Sequence, residues 1–278
     1  MERYRTNKMK IAVTGHKGRI GSSLINRGYE SLDCDITKMA GLCDAIYSVN
    51  PDIIIHCAAL TDVDECQANP TKAHEINCRG LGNVLDCIGK MEKHPKLIFI
   101  SSSHVFKGSK YWTYSERHDT APVNIYGLTK QIGENLVLNL SYPPGYVVRT
   151  SKLFDAEFLS EGVNRLRDSE EFEMSALLKR SFLYIEHFVD GLVRFVENID
   201  KMPHLLHIAS MDTMSYYDFW LQIANVFGYD HRLINPRRAE LKDATPRPFQ
   251  GGLKVDLARS LSIPLYYTHE GLQKIKDE

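Results

Sequence analysis

The sequence predicts a doubly wound α/β fold, a parallel-sheet Rossmann domain with a smaller C-terminal lobe, and three observations carry that prediction. Ile11-Ala12-Val13-Thr14, Ile53-Ile54-Ile55 and Leu97-Ile98-Phe99-Ile100 are continuous apolar runs without polar alternation, as strands covered on both faces require. Amphipathic segments with helical spacing separate them, giving the βαβ order of a parallel sheet. The first run breaks into Gly15, Gly18 and Gly21 before helical periodicity resumes, so it reads as strand, tight turn, helix.

That turn is a candidate dinucleotide site, because glycines let a pyrophosphate approach backbone N–H groups at the positive end of a helix. Its spacing is G-x-x-G-x-x-G, with Thr14 ahead of the first glycine. Tyr29 to Ile36 follows as a short strand-like segment carrying Asp33 and Asp35. Asp33 lies 18 residues after Gly15, near the spacing at which an acid meets the adenosine ribose hydroxyls, and a solvated loop end is the alternative. Lys17 and Arg19 would favour a 2′-phosphate and Asp33 would repel one, so NADPH and NADH both stay open.

Leu42, Ala45, Ile46 and Val49 predict a helix ending at Asn50-Pro51, and a strand runs from Asp52 toward Ala59. One helix follows Asn69-Pro70 with Ala73, Ile76, Leu81, Val84 and Ile88 on a single face. The strand at 96–100 runs into Ser101-Ser102-Ser103, and ligands collect outside the carboxyl ends of such strands. An irregular stretch over 107–123 leads to a helix from about Tyr126 to Leu140, and Tyr146 to Arg149 is a further strand. Beyond it, 172–181 is mixed, 188–196 helical, 205–209 strand-like and 216–227 helical, with a loop-rich basic segment and a short last helix.

Lys+Arg 34 against Asp+Glu 35 leaves a net charge of −1, which argues against nucleic acid or a polybasic membrane patch as partner. The polar residues 1–8 read as a flexible extension, and no apolar run approaches the length of a membrane span. Six cysteines without a C-x-x-C pair suggest a reduced, cytoplasmic protein, and no metal is expected.

The chemistry gathers on Ser102, Tyr126 and Lys130. Tyr126 and Lys130 are four apart and share a helical face. An ammonium beside the phenol is expected to lower its pKa from about 10, making it a proton donor to a carbonyl held by Ser102. With a nicotinamide on the glycine turn, that set reduces a carbonyl.

The chain resembles the extended, nucleotide-sugar branch of the short-chain dehydrogenase/reductase superfamily, most closely the dTDP-4-dehydrorhamnose reductase family, from Met9 to about Leu272. The carriers are Thr14 to Gly21, Cys34-Asp35-Ile36-Thr37, Asn50-Pro51-Asp52, Cys57 to Thr61, Val63-Asp64-Glu65, Asn77, Ile100 to Gly108, Pro122 to Lys130, Arg149-Thr150-Ser151 and Arg247-Pro248. The resemblance implies that Ser102, Tyr126 and Lys130 are catalytic. It implies cofactor contacts along Gly15, Lys17, Gly18, Arg19, Ile20, Gly21, Asp33, Asp35, Ile36, Ala58, Ala59 and Thr61, joined by Tyr126 and Lys130. Ser103, His104 and Arg247 are the implied substrate contacts, with Arg237 and Arg238 as weaker candidates for a diphosphate.

The implied reaction is NADPH- or NADH-dependent reduction of the 4-keto group of a nucleotide-linked 6-deoxyhexulose. Residues 9–150 with about 182–209 are expected to form the cofactor domain, and about 151–181 with 210–278 the substrate lobe. A nucleotide sugar is the expected partner, with a homodimer through the helix at 126–140.

Three residues depart from the family pattern: His104 stands for a usual Tyr, Lys107 for an acid in the V-F-x-G turn, and His56 for a common Asn, where a packed strand histidine is expected. The family's polar substrate-lobe segment is replaced by Leu178 to His187. The rival readings are a cofactor-binding regulatory subunit resembling methionine adenosyltransferase β, and a nucleotide-sugar epimerase or dehydratase.

Overall fold

The computed structural model describes residues 9–109, 112–239 and 244–278, so the extension expected over residues 1–8 lies outside the described residues. Its first half alternates strands β1 (Ile11–Thr14), β2 (Glu30–Leu32), β3 (Ile53–His56), β4 (Lys96–Ser102) and β5 (Gly145–Thr150) with helices. The helices are α1 (Arg19–Asn26), α2 (Met39–Val49), α3 (Val63–Ala68), α4 (Pro70–His74), α5 (Gly80–Gly89) and α6 (Ile125–Leu138).

The second half contains β6 (Lys152–Phe154), α7 (Ala156–Arg167), β7 (Phe172–Ser175), β8 (Lys179–Arg180), β9 (Phe182–Tyr184), α8 (Ile185–Glu197) and β10 (Leu205–His207). It ends with β11 (Met214–Ser215), α9 (Tyr216–Phe227), β12 (Ile234–Arg237), β13 (Gln250–Gly251), α10 (Asp256–Ser260) and α11 (Thr268–Asp277).

The central sheet has six strands in the order β10-β5-β4-β3-β1-β2, every pair parallel. Successive side chains of a strand point to opposite faces. Val13, Ile53, Ile55, Ile98, Ile100 and Val148 therefore enter one core, while Ala12, Ile54, Leu97, Phe99 and Val147 enter another beneath α2 and α5. The absence of polar alternation in the sequence is the direct consequence.

Three elements differ from the sequence expectation. The second strand is only three residues long, because Asp35 accepts hydrogen bonds from the Thr37 N–H (2.9 Å) and hydroxyl (2.7 Å), turning the chain toward α2. The single helix expected after Pro70 is interrupted by a π-helical turn over Glu75–Arg79. In that turn Asn77 is buried, accepts from the Leu60 N–H (2.7 Å), and donates to the Leu60 carbonyl (2.9 Å) and the Thr129 hydroxyl (3.0 Å). Cys43 and Cys87 are joined as a disulfide, which corrects the all-thiol reading: α2 and α5 pack side by side with these Cα atoms 5.3 Å apart, and only Cys34, Cys57, Cys66 and Cys78 are free. No helix among the described residues is long and apolar enough to cross a membrane.

A buried ion pair ties α6 to the sheet. Arg149 on β5 donates from Nε and Nη2 to the two carboxylate oxygens of Glu134 (2.7 and 2.6 Å), and Ser101 on β4 donates to the same carboxylate (2.5 Å). Both charged side chains are under 5 % exposed. Removing one member would strand the other charge in the interior, at about 3–5 kcal/mol. Glu134→Ala is expected to lower the unfolding free energy by about that amount in urea titration, and Glu134→Leu combined with Arg149→Met to recover most of it.

Candidate active site

The carboxyl ends of β1, β3, β4 and β5 open into one cavity of about 530 Å³. At one end lies the glycine turn. Gly15 has φ +69, and a Cβ there would come within 2.6 Å of the Ala58 backbone. A Cβ on Gly21 would come within 2.2 Å of the Gly15 carbonyl oxygen. The turn therefore closes tightly against the end of β3, which only glycine permits.

Gly18 caps α1 without a side-chain hydrogen bond, and the first turn carries no acidic residue. The N–H groups at this helix end, with Arg19 beside them on the cavity wall, fit the pyrophosphate of a dinucleotide.

At the other end Ser102 leaves β4 and Tyr126 and Lys130 project from the first two turns of α6, whose N-terminus is capped by Asn124 accepting from the Gly127 N–H (2.8 Å). All three side chains line the cavity. Ser102 hydrogen-bonds Tyr126 and thereby draws its pKa down, but burial is the larger effect and pushes the phenol up to about 12. The net lowering expected from Lys130 is corrected: burial outweighs it, and its ammonium stands 6.0 Å from the Tyr126 ring centroid while donating to the Ile100 carbonyl (2.9 Å). Burial brings Lys130 itself down to about 8, opposed by the nearby Cys57 and Glu134.

Of the other expected site residues, Gly15, Gly18, Arg19, Ile20, Gly21, Ala59, Thr61, Ser103, His104 and Arg247 are on the cavity wall. Lys17, Asp33, Asp35, Ile36 and Ala58 are not. Lys17 and Asp33 form an exposed ion pair (3.1 Å), with His16 3.5 Å from the same carboxylate. Ile36 is buried under Gly80, and its carbonyl accepts from Asn83 (2.9 Å). His56 is the packed strand histidine expected: it is 1 % exposed, stacks on Phe99, contacts the Thr14 hydroxyl through Nδ1 (2.9 Å), and is held down to about 3 by burial and the Lys130 charge.

His104 packs edge-on against Tyr126 (5.4 Å between centroids) beside Asn124 (3.2 Å). Burial first, then the charges of Arg180, Arg247 and Lys152, take it down to about 3, so it is neutral at working pH.

Arg180, Lys152, Tyr216 and Thr150 also line the cavity, and sequence reasoning missed them. Arg180 is 2 % exposed and donates only to the carbonyls of Lys179 (2.7 Å) and Pro248 (2.9 Å), with no carboxylate against it among the described residues. Burial lowers its pKa. Lys152 lies over the Phe158 ring (4.4 Å). Arg247 pairs with Asp64 (2.7 Å), while Arg237 and Arg238 stay off this wall. The signal available in the sequence for Arg180 was the Lys179-Arg180 pair just before the apolar run Phe182 to Ile185 in the replacement segment 178–187.

A family model described as the RmlD substrate binding domain matches residues 9–278. The dTDP-4-dehydrorhamnose reductase of Mycolicibacterium smegmatis is 31% identical over 255 residues, 86% of this chain and 75% of that protein. A probable dTDP-4,6-dihydroxy-2-methyloxan-3-one 4-ketoreductase of Streptomyces antibioticus is 24% identical, over 92% of this chain and 90% of that one. Among solved structures, a dTDP-4-dehydrorhamnose reductase from Bacillus anthracis in complex with NADP superposes with TM-score 0.86 at 26% identity, covering 97% of this chain and 99% of that one.

The Lys130 ammonium is present below about pH 8 and lost above it. Turnover that needs its charge is expected to fall on the alkaline side of about pH 8, and Lys130→Arg to move that limb beyond the measurable range in a pH–rate profile.

Proposed function

The chain belongs to the RmlD substrate binding domain family, and from that premise we propose that it uses NADPH or NADH to reduce the 4-keto group of a nucleotide-linked 6-deoxyhexulose, in the synthesis of a deoxysugar donor. The observation that carries the reading is the meeting of the glycine turn with Ser102, Tyr126 and Lys130 in one cavity. A dihydronicotinamide, when bound, supplies the hydride. The side chains supply the rest.

Ser102, which hydrogen-bonds Tyr126 in the structure, turns its hydroxyl to the substrate carbonyl oxygen and leaves the Tyr126 O–H free to point at the same oxygen. Tyr126, with its phenol held up to about 12, is fully protonated at neutral pH and is poised as the acid. It gives its proton to the carbonyl oxygen as hydride reaches the carbon, so carbonyl, hydride and proton sum to a secondary alcohol. The Lys130 ammonium, kept close by the Ile100 carbonyl, offsets the negative charge left on the phenol oxygen until a proton returns to it.

The substrate diphosphate is assigned to Arg247 and Arg180, which reach the same cavity from the lobe of about 151–181 and 210–278. Residues 9–150 with about 182–209 hold the cofactor. The neutral His104 sets the floor on which the sugar ring rests, next to the acid. Leu128, Leu136 and Leu138, exposed along α6, support a homodimer through that helix, and a reductase of this kind works in the cytoplasm.

Purified protein given a 4-keto-6-deoxyhexose nucleotide is expected to consume NADPH or NADH in proportion to alcohol formed. An epimerase would return the cofactor unchanged, and a regulatory subunit would consume none. Tyr126→Phe is expected to cut kcat by about 10²–10⁴-fold while cofactor titration stays unchanged; loss of cofactor binding with it would make Tyr126 structural.

A further inference from the structure

Away from the cavity, the disulfide between Cys43 on α2 and Cys87 on α5 joins positions 44 residues apart. Its sulfurs are unequally placed: Cys87 is 0 % exposed, whereas Cys43 is half-buried. Met39 lies against both, its Sδ 3.7 Å from Cys43 Sγ and 3.6 Å from Cys87 Sγ. Met39 is also the first residue of α2, two positions after the turn at Asp35 to Thr37. The other helix grips that same turn. Asn83 of α5 donates to the Ile36 carbonyl (2.9 Å), and Ile36 packs so closely on Gly80 that a Cβ there would come within 2.5 Å of its side chain. The turn is therefore fixed by α2 through the chain and by α5 through these contacts, while the disulfide fixes α2 on α5.

We propose that Cys43 and Cys87 form a redox-sensitive device that sets how tightly the chain holds its dinucleotide: closed, the pair fixes the turn at Asp35, and open, it releases α2 and that turn. The cofactor part rests on the reductase reading, which places the adenosine end beside this turn. Opening is a thiol–disulfide exchange. A thiolate of a dithiol reductant attacks Cys43 Sγ, the sulfur nearer solvent, the S–S bond breaks, and Cys87 leaves as a thiolate that takes up a proton. The second thiolate of the reductant then attacks the mixed disulfide, so Cys43 is released and protonated, the reductant ends as a disulfide, and two electrons have passed to the protein. Glutathione disulfide closes the pair by the reverse exchange. Of the two helices α2 is the freer once the bond is open, since Asp44, Tyr47 and Ser48 on its outer side are exposed, whereas α5 is buried through Leu81, Val84, Cys87 and Ile88. A turn ordered before its ligand arrives costs less to bind than one the ligand must order.

Melting curves and titrations with NADPH and NADH, run on the full chain after glutathione disulfide and after dithiothreitol, test this, with thiols counted in each form by alkylation and mass spectrometry. Cys34, Cys57, Cys66 and Cys78 are already thiols, so the reductant acts on this bond. The oxidised form is expected to melt at least about 5 °C higher and to bind the reduced dinucleotide about 3- to 10-fold more tightly. Cys43→Ser, which leaves Cys87 as a thiol, is expected to match the reduced form in both measurements and not to respond to dithiothreitol. Equal dinucleotide affinity in the two forms, or a Cys43→Ser variant that binds like the oxidised protein, overturns the proposal and leaves the bond a brace without bearing on the cofactor. Six thiols after glutathione disulfide overturn it as well, since the pair then does not close. When a dinucleotide binds both forms alike, only the device falls and the cofactor reading stands. When neither NADPH nor NADH binds either form, both fall.

Discussion

The placement of Tyr126 and Lys130 in the cavity depends on the buried contact of Glu134 with Arg149 and Ser101. Tyr126, Lys130 and Glu134 are spaced four apart, so one face of α6 carries all three and whatever anchors Glu134 sets the rotation of the other two. The anchors are adjacent: Ser101 and Arg149 face each other across the β4–β5 ladder, and Ser102 is the next residue of β4. A charge pair of this kind is costly to desolvate, and its geometry admits few alternatives. A slip of α6 by one residue would leave the Arg149 guanidinium buried without a partner.

That anchor makes it possible to keep an ammonium in the same interior. Lys130 is 5 % exposed, with the Ile100 carbonyl and the Phe99 ring face as its neighbours. Burial disfavours its charge, while the Glu134 carboxylate one helical turn away works the other way. Because its folded-state pKa lies below the ordinary lysine value, Lys130 makes the fold less stable below about pH 8 than an unperturbed lysine would. Its ammonium and the Tyr126 phenol share one cavity wall, so the buried charge is fixed beside the phenol before any ligand arrives.

Much of this was legible in the sequence, and the parts that were not have physical reasons. Continuous apolar strands and the three glycines specify the parallel sheet and its phosphate turn, because burial on both faces leaves no freedom for polar residues. The Tyr126 and Lys130 spacing specifies a shared face. The π-helical turn at Glu75–Arg79 left only one mark in the periodicity, a step of five from Ile76 to Leu81 in an otherwise three- and four-residue stripe. The effect becomes clear only when Asn77 is seen bridging Leu60 and Thr129. Helix α7 escaped because its solvated side is densely charged and its apolar side is narrow, with Leu159 and Leu166 as its buried hydrophobic residues. The pairing of Cys43 with Cys87, 44 residues apart, depends on how two helices pack and leaves no local mark. The direction of the Tyr126 shift also escaped, since spacing gives proximity to a lysine but not the depth of burial that outweighs it.

The charge arrangement around His104 connects the two cavities. Arg180, Arg247 and Lys152 all act on this one imidazole, yet it hydrogen-bonds Asn124 and stays neutral. A protonated histidine there would add a fourth cation beside the acid and compete with Tyr126 as proton donor. Kept neutral by burial, it leaves the surrounding cations to an anion instead. Arg247 is compensated by Asp64 and Arg180 meets only carbonyl oxygens, so the pair can receive a diphosphate without a carboxylate having to withdraw from Arg180. Arg247 stands at the wall common to both cavities, with Tyr126 lining one and Phe249 the other. One guanidinium therefore faces both cavities, and an anion held on it would border each of them.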